Sequence, residues 1–315
     1  SNYKNNTQFE FYNTDYNTKI DFIKYGLFLK SNSTFIDDKL GVSLGVRLDQ
    51  DNFTLENNIL FNAGKGSVFT KKGLQEMDAA IMDGATLEAG AIAAVRNVKN
   101  PIQLAAEVMR NSNHVFLSGK GANDFAIKQG VVLAPDEYFY SQFRYDQWKA
   151  IRDSDSYSLD HTNHHLEELL KDKKFGTVGA VACDSFGNIA GATSTGGMTN
   201  KKYGRIGDSP IIGSGTYANN NTVAISCTGW GEYFLRLVMA KSISDRMEFG
   251  GQSLALASET LVMKELPALG GDGGLIAVDK NGNIALPFCT EGMYRGFIKK
   301  EKQGAAIVKD ILIFK

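Results

Sequence analysis

The sequence predicts an α+β protein in which antiparallel sheets are covered by helices. Two stretches each have the pattern of a strand, a tight turn and a returning strand, and the Asn281-Gly282 pair marks the second turn. Two segments between them have the apolar periodicity of helices. Strand pairs that alternate with helices favour a layered architecture. The predicted strands cover residues 177–184, 188–195, 274–279 and 283–285, and the predicted helices cover residues 232–247 and 252–265.

The upstream part of the chain predicts a further strand at residues 91–98 and a helix at 101–110, with Pro101 in its first turn. Before it, residues 1–54 are rich in Asn, Asp, Phe and Tyr and poor in Ala. Two alternating stretches there, 22–30 and 41–48, are joined by a turn-like segment at 36–39. These residues predict a β-hairpin.

Composition divides the chain into three predicted parts: residues 1–54, residues 55–176 and residues 177–315. The second part ends in a polar, charged segment, 152–176, which predicts an exposed and mobile connector. Three of the four histidines, His161, His164 and His165, lie in it. We assign them no catalytic role, because such a connector is a poor place for a base.

Bulk properties exclude several classes of function. The 315 residues carry a formal net charge of −1, so no global field attracts nucleic acid or an anionic membrane. No apolar run approaches the roughly 18 residues of a spanning helix. Cys183, Cys227 and Cys289 lie far apart in apolar runs and are predicted to be core residues, not a disulfide or metal site. The polar start favours the cytoplasm, or the periplasm if a leader has been removed.

Gly176-Thr177 has the chemistry of a self-cleaving amide hydrolase. Thr177 opens a predicted buried strand directly after the connector, so its hydroxyl is placed to attack the Gly176 carbonyl. Cleavage would free the Thr177 α-amine, whose pKa of about 7.7–8.0 suits a base at neutral pH. Taken alone, Thr177 is more often an ordinary β-branched residue at the start of a strand.

Further segments carry a resemblance. They are Ala192–Asn200 (ATSTGGMTN), Gly204–Pro210 (GRIGDSP), Ser226–Glu232 (SCTGWGE), Leu60–Gly66 (LFNAGKG), Met77–Gly84 (MDAAIMDG) and Leu266–Gly271 (LPALGG). Together with Gly176-Thr177 they resemble the plant-type asparaginase and isoaspartyl peptidase family, from about residue 55 to 295. The resemblance implies the four-layer αββα sandwich of N-terminal-nucleophile hydrolases. It also implies cleavage between Gly176 and Thr177.

The resemblance implies a catalytic set. Thr177 would be the nucleophile, Thr195 would hydrogen-bond to it, and Thr228 would lie beside it. Thr228 and the Gly229 N–H would form the oxyanion hole. Each of these residues also has an ordinary structural explanation, as a strand threonine or a turn glycine.

The same resemblance implies a substrate clamp for asparagine or β-aspartyl dipeptides. Arg205 would hold the α-carboxylate in a bidentate contact and Asp208 the α-ammonium, with Gly207 and Gly231 beside them and Asn62 supporting the nucleophile. On their own, Arg205 and Asp208 could equally be a surface pair.

No cofactor is implied for catalysis, but the resemblance implies a structural Na⁺ or K⁺ and an (αβ)2 assembly of processed chains. The cation would be held by backbone carbonyls of the loop 55–65, from Leu55, Glu56, Asn58, Phe61, Ala63 and Lys65. Neither nucleic acid nor a membrane is expected as a partner.

Two features depart from the family pattern. Trp230 stands where related asparaginases often have a smaller residue. Residues 1–54 lack the His-Gly-Gly-Ala-Gly strand and long helix of the family, and residues 20–52 instead resemble strands of a TonB-dependent receptor. Two alternatives therefore stay open: a glycosylasparaginase-type hydrolase, and an unprocessed, inactive scaffold derived from a hydrolase.

Overall fold

The structure, a computed structural model, describes residues 55–59, 61–153 and 176–297. It also gives the backbone of three upstream strands, β1 (Asn17–Ile20), β2 (Leu29–Ile36) and β3 (Lys39–Gly45). The three histidines of the connector lie outside the described residues. So do most of residues 1–54.

The upstream strands form an antiparallel sheet in the order β1-β2-β3. Ile36 pairs with Lys39, and these are the first and last residues of the segment predicted to join the two strands. The strand before it is Leu29–Ile36 and not the predicted 22–30. An alternating pattern fixes which side chains share a face but leaves the ends of a strand to its pairing partner.

Five strands form the larger described sheet, in the order β6-β5-β4-β8-β7. All pairs are antiparallel except the parallel pair β5–β6. The central strand β4 is buried almost throughout, which explains its run of small and apolar residues. The strands are β4 (Met77–Asp83), β5 (Ala89–Val95), β6 (Phe116–Ser118), β7 (Val178–Cys183) and β8 (Ile189–Thr195).

The predicted strand at 91–98 begins and ends earlier than expected, at Ala89 and Val95. Ala94, inside the strand, has a φ of 52° at a shift in the register between β4 and β5. The Ala94 N–H donates to the buried carboxylate of Asp78 at 2.8 Å, which supports this irregularity. Asn97, just after the strand, has a φ of 62° and departs from the extended conformation.

The second described sheet has four antiparallel strands in the order β12-β11-β10-β9. Its strands are β9 (Thr216–Ala218), β10 (Val223–Gly229), β11 (Gly273–Asp279) and β12 (Ile284–Ala285). The two predicted strand-turn-strand units are present as β7–β8 and β11–β12. In each turn an aspartate, Asp184 or Asp279, accepts backbone N–H groups two and four residues later.

The two sheets pack face to face through small residues. A side-chain carbon on Gly179 of β7 would overlap the Ser226 hydroxyl of β10, and one on Gly191 of β8 would lie 3.2 Å from the Ile225 carbonyl oxygen. The glycines therefore allow the sheets to approach closely.

Helices cover the outer face of each sheet. Leu104 and Val108 of α1 pack with Ile92 in one core, and Ile243 of α6 packs with Ile225 and Leu275 in the other. This confirms the four-layer αββα sandwich. The helices are α1 (Pro101–Asn111), α2 (Gly119–Gln129), α3 (Asp136–Phe139), α4 (Gln142–Ile151), α5 (Gly231–Leu237), α6 (Met239–Glu248), α7 (Leu254–Thr260) and α8 (Leu266–Ala268), with a π-helical turn at Leu261–Glu265.

The single helix predicted at 232–247 is wrong, because the chain breaks at Val238, whose φ is 46°. The first N–H groups of α6 donate to carbonyls of a distant loop, Ala240 to Ser214 and Lys241 to Gly213. These carbonyls satisfy donors that a helix N-terminus leaves unpaired. The helix predicted at 252–265 is likewise divided, into α7 and the π-helical turn.

The three cysteines are free thiols: Cys227 is buried, and Cys183 and Cys289 are half-buried at the edge of the core. Within the described ranges, no helix combines the length and hydropathy that crossing a bilayer requires.

Candidate active site

Two threonine hydroxyls meet where β7 begins and β8 ends. Val178 pairs with Ser194, which sets Thr177 opposite Thr195, and their Oγ1 atoms lie 3.0 Å apart. Thr195 Oγ1 also accepts the Gly197 N–H at 3.0 Å. A hydroxyl has one proton and two lone pairs, so Thr195 remains able to donate to Thr177. The Thr177 proton would then be free to leave towards a base.

Asn62, from the upstream part of the chain, is hydrogen-bonded to the backbone beside both threonines. Its backbone N–H donates to the Gly176 carbonyl at 3.2 Å, and its side-chain amide donates to the Gly197 carbonyl at 2.6 Å. Its two oxygens accept the N–H groups of Val68 and Gly196. Every polar group of this buried residue is used, so Asn62 fixes both the predicted cleavage position and the turn after Thr195.

Thr228 and Gly229 lie at the end of β10, in the facing sheet. The Ser226 hydroxyl contacts the Thr193 hydroxyl at 2.7 Å, and Ile225 lies over Gly191, so β10 runs in the same sense as β8. Thr228, two residues beyond Ser226, therefore lies towards the Thr195 end. Gly229 has a φ of 148°, and a side chain there would collide with the Asp272 carbonyl. Only glycine fits this position.

The predicted clamp residues lie together. A side-chain carbon on Gly231 would be 2.7 Å from Asp208 Oδ1 and 2.8 Å from Arg205 Nη2, and one on Gly207 would be 2.8 Å from Arg205 Nη1. The two glycines thus leave room for the charged groups.

Asp208 is only 5% exposed, and its Oδ2 has no hydrogen-bond partner among the described residues. Burial raises the pKa of its carboxyl to about 7, against the opposing pull of the Arg205 charge. An unpartnered acceptor in this setting suits a ligand that has a positively charged group.

The structure gives Arg205 a partner that the sequence did not predict. Its Nε and Nη2 donate to the two carboxylate oxygens of Glu232, both at 2.9 Å. Burial acts to raise the pKa of Glu232, but the hydrogen bonds and charge of Arg205 hold it below its ordinary value. The only sequence signal is an acidic residue at the end of Gly229-Trp230-Gly231-Glu232.

Sequence reasoning also missed two buried charged side chains. Lys201 Nζ donates to the Glu76 carbonyl at 2.8 Å and lies 3.9 Å from the Asp78 carboxylate, and burial lowers its pKa. The Glu56 carboxylate accepts from the Ser194 hydroxyl and from the Ile102 N–H at 3.1 Å, and burial raises its pKa to about 7. The sequence predicts a role only for the backbone carbonyl of Glu56.

The predicted cation loop brings carbonyls together. A side-chain carbon on Gly66 would overlap the Phe61 oxygen and lie 2.9 Å from the oxygens of Asn58 and Ile59. Hard cations prefer oxygen ligands of this kind, and cation binding by this loop stays a prediction. The described residues contain no cluster of His, Cys, Asp and Glu side chains suited to a metal. The contributions of Leu55, Glu56, Ala63 and Lys65 stay predictions.

Comparison with known proteins settles the family. The family profile described as Asparaginase matches residues 46–308 of this chain. The chain belongs to the asparaginase family. It is 55% identical over 243 residues to an isoaspartyl peptidase of Salmonella typhimurium, covering 77% of each chain.

Two further relatives extend the comparison. A putative isoaspartyl peptidase/L-asparaginase of Dictyostelium discoideum is 47% identical over 296 residues, covering 86% of this chain and 82% of the relative. A plant-type L-asparaginase of Pyrococcus furiosus is 44% identical over 252 residues, covering 78% and 80%. The family membership predicted from the motifs is confirmed. The individual residue roles and the domain boundaries stay predictions.

Proposed function

We propose that this chain cleaves itself between Gly176 and Thr177 and then hydrolyses the side-chain amide of L-asparagine and the isopeptide bond of β-aspartyl dipeptides. The observation that carries the proposal is the hydroxyl pair Thr177–Thr195, 3.0 Å apart, beside a Gly176 carbonyl held by the Asn62 N–H. The relatives' names, isoaspartyl peptidase and L-asparaginase, agree with this chemistry.

Self-cleavage begins with the Thr177 hydroxyl attacking the Gly176 carbonyl carbon. The C–N bond breaks, the nitrogen takes the hydroxyl proton, and an ester joins Gly176 to the Thr177 oxygen. The Asn62 N–H stabilises the negative charge that develops on the Gly176 oxygen. Water then hydrolyses the ester, leaving a Gly176 carboxylate and a free Thr177 amine.

In substrate hydrolysis the Thr177 amine accepts the hydroxyl proton, and the hydroxyl attacks the side-chain amide carbon. Thr195 donates to the Thr177 oxygen and holds it in place, while Thr228 and the Gly229 N–H stabilise the oxyanion. The amine then gives its proton to the leaving nitrogen. Water releases aspartate from the resulting ester, so the chain's own residues supply all the catalytic groups.

Asp208 and Arg205 orient the substrate. Asp208 accepts the α-ammonium and Arg205 donates to the α-carboxylate, which leaves the side-chain amide facing Thr177. The 55–65 loop binds Na⁺ or K⁺ through its carbonyls and holds Asn62 in register, and processed chains assemble as (αβ)2. Binding of the cation predicts that the melting temperature differs between sodium chloride, potassium chloride and lithium chloride.

Purified protein on a denaturing gel tests self-cleavage, and N-terminal sequencing identifies the cut. We expect two bands, one starting at Thr177, and a single band for Thr177→Ala. Thr222→Ala is the matched control, because it removes another buried hydroxyl pair, with Ser244 at 2.8 Å, away from the site. A persistent single band for the unmodified protein would leave an inactive scaffold as the better description.

A substrate panel tests the reaction. Processed protein should release aspartate from asparagine and from β-aspartyl dipeptides, and Thr195→Ala should reduce turnover by roughly 10²-fold or more. Hydrolysis confined to glycosyl-asparagine would favour the glycosylasparaginase type instead.

A further inference from the structure

Glu232 contacts one edge of the Arg205 guanidinium and leaves the other edge uncovered. Arginine offers five N–H donors in a planar fork, enough for two bidentate contacts. Glu232 takes the edge formed by Nε and Nη2, with both distances at 2.9 Å. The edge formed by Nη1 and the second N–H of Nη2 remains for another carboxylate.

Glycines border the remaining edge. Side-chain carbons on Gly207 and Gly231 would each lie 2.8 Å from a terminal nitrogen of Arg205, and one on Gly197 would lie 3.5 Å from Nη1. The Gly231 position also lies 2.7 Å from Asp208 Oδ1. The donor edge and the ammonium acceptor are therefore neighbours, at a spacing that suits the two charged groups of an α-amino acid.

Glu232 lies in the first turn of α5, which begins at Gly231. The helix holds the backbone of Glu232, and its carboxylate makes a two-point contact with Arg205. Two parallel hydrogen bonds fix the plane of a guanidinium, which a single contact would not.

We propose that Glu232 is a positioning residue for the substrate α-carboxylate. It fixes the rotation of the Arg205 guanidinium so that the Nη1–Nη2 edge faces the ligand. The inference rests on the proposed function in taking an α-amino acid as the ligand of the processed chain.

Binding of L-aspartate, the reaction product, tests the proposal without requiring turnover. Calorimetry on processed protein should show Glu232→Gln weakening aspartate binding about tenfold, the order expected for one charge-assisted hydrogen bond. Glu232→Asp keeps the charge on a shorter side chain, so a smaller loss of about threefold is expected. The KM for asparagine should rise by the same factors while kcat stays within about twofold, because Thr177 is untouched.

Two readouts separate positioning from general damage. Glu232→Asp should keep more of the aspartate affinity than Glu232→Gln, because only Glu232→Asp retains a carboxylate for Arg205. β-Alanine, which is aspartate without the α-carboxylate, should bind the variants as it binds the unmodified protein. The matched control is Glu265→Gln, which breaks a comparable half-exposed pair with Arg246 at 2.5 Å and should change neither constant.

Unchanged or tighter aspartate binding in Glu232→Gln would overturn the proposal, since Glu232 would then be irrelevant or a competitor. So would an equal loss for β-alanine, or no aspartate binding by the unmodified protein. Should Glu232→Gln fail to fold, Glu232→Asp carries the test through the same two ligands. Aspartate binding that responds as expected, without hydrolysis, would refute the proposed function and leave this inference standing.

Discussion

Replacing Asp208 by Asn should stabilise the protein above neutral pH while abolishing its use of substrate. Asp208 is buried, with one carboxylate oxygen unpartnered among the described residues, and burial raises its pKa from 3.8 to about 7. The charged form is therefore disfavoured in the folded protein. Asn has the same shape and no charge, so it removes this cost but cannot neutralise the α-ammonium of a ligand.

The size and sign of the effect follow from linkage. Below pH 4 Asp208 is neutral in the folded and the unfolded chain, so the carboxyl costs nothing there. As pH rises from about 4 to 7 the unfolded chain ionises first, and the unmodified protein loses stability relative to the variant. The loss is complete above pH 7. At about 1.4 kcal/mol per pH unit, the interval from 3.8 to about 7 amounts to about 4 kcal/mol.

Urea unfolding between pH 4 and 8 measures this difference. Both proteins should carry Thr177→Ala, so that each is a single uncut chain. Asp124→Asn is the control, because Asp124 is exposed and pairs with Lys120 at 2.7 Å on the surface. We expect the two unfolding free energies to diverge as pH rises. A difference that stays constant across this range would refute the burial of a costly charge at Asp208.

Three further predictions concern the same framework. The KM for asparagine should rise up to about tenfold per pH unit as pH falls below 7, because Asp208 must be ionised to hold the ammonium; a KM that is flat from pH 5 to 7 would contradict this. Glu56→Gln should fold as well as the unmodified protein near pH 7, whereas Glu56→Ala should lose about 1–3 kcal/mol in urea unfolding, because it leaves buried donors unpaired. Gly179→Ala should lose about 1–3 kcal/mol because the added carbon meets the Ser226 hydroxyl, while Gly121→Ala, with open space around it in a helix, should gain about 0.5–1 kcal/mol.

Much of the fold could be predicted because its signals are local. The two aspartate-led turns follow directly from residues within five positions of each other, and Pro101 marks the start of α1. Boundaries that depend on distant groups could not be predicted. The break at Val238 reflects carbonyls of Gly213 and Ser214, more than 20 residues away, which lie outside any helical window.

The sequence by itself determined the family and the layered α+β class, and it predicted the residues of the candidate site, since those depend on residue type and order. Only the tertiary structure decided which side chains the charged groups pair with. Arg205 meets Glu232 across 27 residues, and Glu56 meets Ser194 across 138. Burial, and with it the raised pKa of Asp208, depends on what packs around a side chain, and no local pattern records that.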